Sequence, residues 1–439
     1  MDSHPAGPVG SALPAPAASP PLFPAALWEP LPRPADRGAP LRIPRAAAAP
    51  EVLPAGARLR EGPQVLGPAS AEGMLLVRFR HRAPEARAVA LQASGWWRVD
   101  PVDACDLQAA GSSWWEGTFV VPAQWRATYA FLEHLGPGDP PWWKEGLRLP
   151  AARWGTGPGE AAGAAVRLSH GAVRGGRRPV VSLPDDGPFG PVTGRVSPTL
   201  HTLERGAEEP AVHLWISESS GLGSLEAVAR AAAGGPGGPG SAARAVAELP
   251  LLIVLDGFDH ADRLGTPARL ERAVRERALP PLVAVFVDSG PRRAEVLGVP
   301  GGHARWIAEV LLPRLRERGL GADASRTVIT GSSFGGLTSL FALALAPGRI
   351  GAAIAQSVSL WRYPEGALLA PLREATAGRG SRLRLQAGTF EGTMAQDAER
   401  LVAALRAGGA DASLEVVPGG HDWAWWQPLA LRELARLLR

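Results

Sequence analysis

The second half of the chain alternates short, unbroken apolar runs with longer helical patterns, and this grammar restricts the fold more than any other feature. Val212 to Ser217, Pro250 to Leu255, Leu282 to Val287, Thr327 to Thr330, Leu383 to Ala387 and Ser413 to Val417 carry almost no polar alternation. Runs of that kind predict strands buried on both faces. Helical stretches lie between most of them, for example His303 to Arg318, Gly335 to Ala346 and Gln396 to Ala407. Strands covered on both sides and separated by helices predict a largely parallel sheet within an α/β layer architecture.

The first half follows a different pattern. From about residue 56 to 184, short alternating runs such as Leu75-Leu76-Val77-Arg78-Phe79-Arg80 and Val89-Ala90-Leu91-Gln92 are separated by Gly, Pro and Asp clusters. They predict an all-β, immunoglobulin-like sandwich of antiparallel strands. Tryptophan occurs there in pairs, Trp96-Trp97, Trp114-Trp115 and Trp142-Trp143. A strand turns only one member of a pair to the core, so the partner is read as a rim or ligand-facing residue. Residues 1–55 are dominated by Ala and Pro and are expected to form a disordered tail. A Gly/Pro-rich link at 171–198 leads into the second domain, taken as 185–439. The Gly/Pro tract 234–240 fits no phosphate-binding spacing and is read as a surface loop.

Composition removes several function classes. With 46 Lys and Arg against 42 Asp and Glu, the net charge is only +4, yet the pI is about 10.0. Lys144 is the single lysine, and almost nothing else titrates between neutrality and the arginine range, so the high pI reports few titrating groups. No Lys/Arg block suggests a nucleic-acid partner. The one cysteine, Cys105, excludes an intramolecular disulfide. No run approaches the length of a membrane span, and residues 1–24 lack a basic stretch followed by an apolar one. These features lead to the expectation of a soluble cytoplasmic protein without a membrane partner, and they leave oligomeric state open.

The sharpest local feature is Gly331-Ser332-Ser333-Phe334-Gly335-Gly336, directly after one predicted strand and opening the next helix. A sharp strand-to-helix turn requires small residues around its apex, which places Ser333 in an exposed, nucleophilic position. In a chain with 53 glycines the pattern alone is weak; its placement gives it weight. A serine hydroxyl needs a base, and the base an orienting carboxylate. In α/β-hydrolases these follow in the order Ser, acid, His. His421, in Pro418-Gly419-Gly420-His421-Asp422 after the last predicted strand, is the histidine well downstream of Ser333. Glu391, in the loop after Leu383 to Ala387, is the candidate acid, with a Ser-His dyad as the alternative. An oxyanion hole needs two backbone N–H groups. Phe334 supplies one candidate, and Gly257 or Phe258 in Leu255-Asp256-Gly257-Phe258 the other, with Asp256 holding that loop.

At these residues the sequence resembles the enterochelin esterases, also called iron(III) enterobactin esterases. The matching stretches are Leu255-Asp256-Gly257, Asp288-Ser289-Gly290-Pro291-Arg292-Arg293, Glu309-Val310-Leu311-Leu312-Pro313, Thr327 to Leu337, Gln356-Ser357-Val358-Ser359-Leu360-Trp361, Ala387-Gly388-Thr389-Phe390-Glu391 and Gly419-Gly420-His421-Asp422. Val77-Arg78-Phe79-Arg80 and Trp114-Trp115-Glu116 extend the likeness into the first domain. The resemblance implies an α/β-hydrolase domain that cuts the ester bonds of a ferric catecholate siderophore through Ser333, His421 and Glu391. It departs from the family in the Pro/Ala tail, in the 234–240 insert, and in Val358 where Gly is expected. Iron would enter only as part of the substrate, with no protein cofactor or metal site. A flat, anionic ferric catecholate favours guanidinium and aromatic planes, which makes Arg292 or Arg293, and Trp361, candidate substrate contacts. Two other readings stand beside this one: an esterase for another phenolic or carbohydrate ester, and a non-catalytic binding protein on the same fold.

Overall fold

The computed structural model describes residues 61–69, 71–147, 185–192, 198–203, 205–206, 209–220, 248–321, 323–376 and 380–439, together with residues 27, 30–32, 41–42, 166–169 and 180–182. The 234–240 tract, and most of the proposed tail, lie outside them.

Eight strands make up the first domain: β1 (Gly62–Pro68), β2 (Met74–Arg82), β3 (Ala88–Ala93), β4 (Asp106–Ala109), β5 (Trp114–Pro122), β6 (Arg126–His134), β7 (Val166–Ser169) and β8 (Val180–Ser182). All described pairings are antiparallel. An immunoglobulin-like sandwich would hold two separate facing sheets, whereas here the strands follow one path, β1-β2-β5-β4-β3-β6-β7, with β8 also on β6. The reason is β4, whose first residues pair with β3 and whose last residues pair with β5.

Val77, Phe79, Leu91, Phe119 and Phe131 alternate inward from this sheet and form the domain core. Trp96 is buried among them, stacked on Trp125 with ring centroids 4.9 Å apart. Of the other pairs, Trp114-Trp115 lies on β5 with Trp115 against the core, as a strand requires, while the third is not on a strand. Trp142 and Trp143 sit on a short helical turn, and both indole N–H groups reach the Asp106 carboxylate, at 2.8 and 2.9 Å. Trp115 donates to the Ala83 carbonyl, and Arg80 covers the Trp114 ring at 4.2 Å.

The second domain contains β9 (His201–Thr202), β10 (Val212–Ile216), β11 (Leu251–Leu255), β12 (Val283–Val287), β13 (Thr327–Ser332), β14 (Ala352–Gln356), β15 (Arg382–Gly388) and β16 (Asp411–Val417), in the order β16-β15-β14-β13-β11-β12-β10-β9. β11 to β16 pair in parallel, while β10 joins β12 and β9 antiparallel. The helices that cover this sheet include α1 (Thr266–Arg275), α2 (Phe334–Leu345), α3 (Leu369–Thr376), α4 (Met394–Ala407) and α5 (Trp423–Leu437).

Strand β11 shows why the apolar runs are unbroken. Leu251, Ile253 and Leu255 face a core shared with Leu337, Leu340 and Phe341 of α2. Leu252 and Val254 face the opposite core, shared with Leu270 and Val274 of α1 and Leu434 of α5. Each such side chain contributes about 1.5–3 kcal/mol by leaving water.

The stretch His303 to Arg318 is helical to Glu317 as expected, though with π-type turns in its first part. A wide turn at Pro300–Ala304 is kinked at Gly302, and Ile307–Leu311 is also π-helical before Leu312–Glu317 becomes regular. A Cβ on Gly302 would lie 2.2 Å from the Val296 carbonyl oxygen. That close approach explains the glycine and the kink. No described helix is long and apolar enough to cross a membrane.

The described residues within the proposed tail differ in burial. Leu27 is fully buried in the core of the second domain, and the Leu31 N–H donates to the Arg362 carbonyl at 2.7 Å. Leu41 forms a bridge with Val99 of the first domain. Leu27 is thus buried, whereas Leu31 is 44% exposed and meets the second domain through its main chain.

Candidate active site

The carboxyl ends of β13, β14, β15 and β16 lie side by side, and each delivers a polar residue to one region. Ser333 stands between β13 and α2 with φ 60° and ψ −118°, backbone that a non-glycine residue adopts only under constraint. The constraint is visible on both sides. A Cβ on Gly331 would lie 2.6 Å from the Gly335 backbone, and one on Gly336 would lie 3.0 Å from the Gln356 carbonyl oxygen. The Ser333 N–H donates to that same carbonyl at 2.8 Å. Its Oγ lies 3.2 Å from Ser359 Oγ and is not hydrogen-bonded to His421.

Glu391 and His421 come together. Their Oε1 and Nδ1 atoms are 2.6 Å apart, and the Glu391 side chain is fully buried. An ionised carboxylate can only accept, so Nδ1 carries the proton toward it and Nε2 of the neutral ring keeps a lone pair. The other carboxylate oxygen accepts from the Gly388 N–H at 2.6 Å and from Ser357 Oγ at 2.8 Å. Ser357 in turn accepts from the Trp426 indole N–H at 2.7 Å. Trp426 also stands edge-on to the His421 ring, with centroids 4.7 Å apart. Asp422, next in the chain, caps α5 through the Ala424 N–H.

The loop after β11 is held tightly. Asp256 is buried with φ 56°, accepts from Ser289 Oγ at 2.9 Å, and is gripped by Arg293 at 2.6 and 2.7 Å. A Cβ on Gly257 would meet backbone atoms of Phe286 and Val287 at 2.6 to 2.7 Å. Only glycine lets this loop lie against β12. Phe258 is exposed on the far side of the turn, with the Arg263 guanidinium 5.2 Å from its ring. His303 packs nearby; burial pushes its pKa down, while Asp256 and Asp288 oppose that shift.

The candidate substrate contacts divide. Arg293 is paired with Asp256 and so also holds the loop in place. Arg292 is largely exposed, 3.6 Å from Glu295. Trp361 leans on the Phe334 ring at 6.0 Å. Arg362, which the motif reading passed over, lies 4.4 Å above that same ring. Trp361 also lines a mostly apolar pocket of about 490 Å³ together with Leu360, Tyr363, Leu368 and Leu401. Ser357, Ser359 and Trp426 were likewise missed; the first two lie in a quoted stretch, but nothing in the stretch says which way they point.

Residues 241–437 match the model of the family described as putative esterase. The iron(III) salmochelin esterase of Escherichia coli O6:H1 is 30% identical over 196 residues, covering 41% of this chain and 48% of that protein. The iron(III) enterobactin esterase of Escherichia coli K12 is 32% identical over 190 residues, covering 41% and 47%. The chain spans about half the length of the curated relatives it matches. Among solved structures, the ferric enterobactin esterase of Salmonella typhimurium aligns with a TM-score of 0.60 at 24% identity, over 86% of this chain and 96% of that one. The Shigella flexneri enterobactin esterase, determined in the presence of enterobactin, gives 0.58 at 22%, over 86% and 96%. The shared fold is an α/β-hydrolase-type domain preceded by an antiparallel β-domain. Residues 241–437 thus match an esterase family model, in a chain whose sequence and fold are both similar to those of the enterobactin esterases.

Proposed function

We propose that the chain is a serine esterase that hydrolyses the ester bonds of a ferric catecholate siderophore of the enterobactin type, releasing the iron inside the cell. The observation that carries this reading is the 2.6 Å Glu391–His421 pair at the strand ends beside Ser333, itself on a turn of φ 60°. In the reaction, His421 Nε2 takes the proton as Ser333 Oγ attacks the ester carbonyl. Glu391 keeps the imidazole in the productive tautomer and stabilises its protonated form. The N–H of Phe334, with that of Gly257 or Phe258, receives the oxyanion. His421 then returns the proton to the departing alcohol, and water cleaves the acyl-enzyme by the same route. Ser333 Oγ lies 3.2 Å from Ser359 Oγ, so the hydroxyl must turn toward His421 for the transfer; catalytic hydrogen bonds commonly tighten only in the complex.

The names of the similar proteins supply the substrate class. Trp361, Phe334 and Arg362 support it, because stacked aromatic and guanidinium planes beside the nucleophile suit catecholate rings. Arg292 is the exposed cation at the loop end and would meet the substrate's anionic charge. Iron is cargo in this scheme, held by catecholate oxygens.

The test is chromatographic. Purified protein and Ser333→Ala are each incubated with ferric and metal-free enterobactin, and linear trimer, dimer and monomer of the catecholoyl-serine unit are sought. Their formation by wild type alone is expected. Their absence, in a sample that still cleaves a simple aryl ester, would keep the hydrolase and discard the siderophore.

A further inference from the structure

The loop that carries His421 is held from both domains. It runs from β16 to α5 as Pro418-Gly419-Gly420-His421-Asp422, and the two glycines give it a wide choice of backbone conformations. Within its own domain the Gly420 carbonyl accepts from the Trp425 indole N–H at 2.6 Å, and the first domain adds further contacts. Asp422 Oδ2 accepts from the Thr128 main-chain N–H on β6 at 2.5 Å, while Oδ1 caps α5 through Ala424 at 3.1 Å. Thr128 is tied back to the turn after β3, its carbonyl accepting from the Ser94 N–H at 2.9 Å. The Arg126 N–H reaches the Pro418 carbonyl at 3.4 Å, and the Arg126 side chain is anchored by its buried ion pair with Asp186.

The same turn meets both catalytic loops at backbone distance. A Cβ on Gly420 would lie 2.5 to 2.6 Å from Ser94 and Gly95 backbone atoms. A Cβ on Gly95 would lie 2.6 Å from Phe390 Cβ and 3.0 Å from Gly420 Cα. Phe390 precedes Glu391, packs against the β-domain core, and donates its N–H to the Gly419 carbonyl at 3.0 Å. The turn itself is stiffened by Trp96, which follows Gly95 and is stacked on Trp125.

We propose that the β-domain is a positioning element of the catalytic machinery: the Ser94–Gly95 turn and the Thr128 N–H set the Pro418–Asp422 loop, and with it His421, against Glu391. This rests on the reading of Ser333, His421 and Glu391 as the catalytic residues. Gly95 and Asp422 are positioning residues, acting through the loop and not through contact with substrate.

Two full-length variants test it. Gly95→Ala drives a methyl group toward Phe390 and Gly420. Asp422→Asn keeps the shape and the α5 cap but turns an amide donor toward the Thr128 N–H, and it decides the matter if Gly95→Ala fails to fold by circular dichroism. The readouts are kcat and KM on an ester that wild type cleaves, the rate at which a fluorophosphonate probe labels Ser333, and the far-downfield proton resonance of His421 Nδ1. A misplacement near 1 Å lowers rate by about 10²-fold, so kcat and labelling should fall together by about 10- to 100-fold with KM within about threefold. The downfield resonance should weaken or disappear. Unchanged kcat and labelling, or a rise in KM with labelling intact, would overturn the proposal and leave the β-domain as a substrate surface. A wild-type protein that the probe does not label would overturn the reading of Ser333 itself.

Discussion

The Glu391 carboxylate is surrounded by donors: His421 Nδ1 on one oxygen, and Ser357 Oγ and the Gly388 N–H on the other. Such a network orients the carboxylate more sharply than any single bond, because rotating it breaks several bonds at once. Ser357→Ala removes one of these and leaves the Trp426 indole N–H without its acceptor. Loss of that hydrogen bond corresponds to about 1–2 kcal/mol. The expected outcome is a kcat reduced about tenfold with KM little changed, read in steady-state assays on protein whose circular dichroism matches wild type. The positions of Ser333, His421 and Glu391 at neighbouring strand ends were legible in the sequence, because the loops there follow the apolar runs. Ser357 and Trp426 were not, since a buried serine or tryptophan looks the same whether it supports an acid or fills a core. The Asp256–Arg293 pair was hidden for a related reason: the two residues lie 37 positions apart, and only the folded loop reveals the pair.

At the level of elements, the loop after β11 depends on the absence of a side chain at Gly257. Gly257→Ala places a Cβ against main-chain atoms of β12, which cannot give way as a flexible side chain would. The loop must shift, and if it supplies an oxyanion donor, kcat should fall about 10²- to 10³-fold while Ser333, His421 and Glu391 are untouched. The next turn carries His260, buried with its Nδ1 2.9 Å from Thr266 Oγ1. Burial lowers its pKa to about 4, with Asp256 opposing and Arg269 assisting. Between about pH 6.5 and 4 the unfolded chain therefore binds a proton that the folded chain refuses, so stability falls as pH drops through that window. The contribution is on the order of 3 kcal/mol. Urea unfolding at pH 7 and pH 4.5 should show a loss that is reduced in His260→Gln, whose amide can still reach Thr266. Most of the parallel strands were readable from their apolar runs, although Ala352–Gln356 was not among them, whereas the π-helical turn Ile307–Leu311 was not, because Ile307, Ala308, Leu311 and Leu315 keep a helical spacing through it.

On the scale of the whole molecule, the chain is a β-domain and a hydrolase-type domain joined by backbone-close contacts at the loops that carry Glu391 and His421. Composition separated the two domains but could not show that contact, because a glycine chosen for close approach and one chosen for a turn are identical in sequence. It also hid the role of Leu27, which is fully buried in the second domain's core. Leu27→Ala should cost about 2–5 kcal/mol in denaturant unfolding, the range for truncating a buried leucine. A loss under 0.5 kcal/mol would mean that this segment does not pack there in solution. The central claim is that Ser333 is acylated during turnover, and the measurement that reaches it most directly is rapid acid quench of the enzyme with its ester substrate, followed by peptide mass mapping. The account predicts an added mass equal to the substrate's acyl portion on the peptide containing Ser333, absent in Ser333→Ala, which should also lose at least 10³-fold in kcat. Turnover with no adduct on that peptide, together with an active Ser333→Ala, would contradict it.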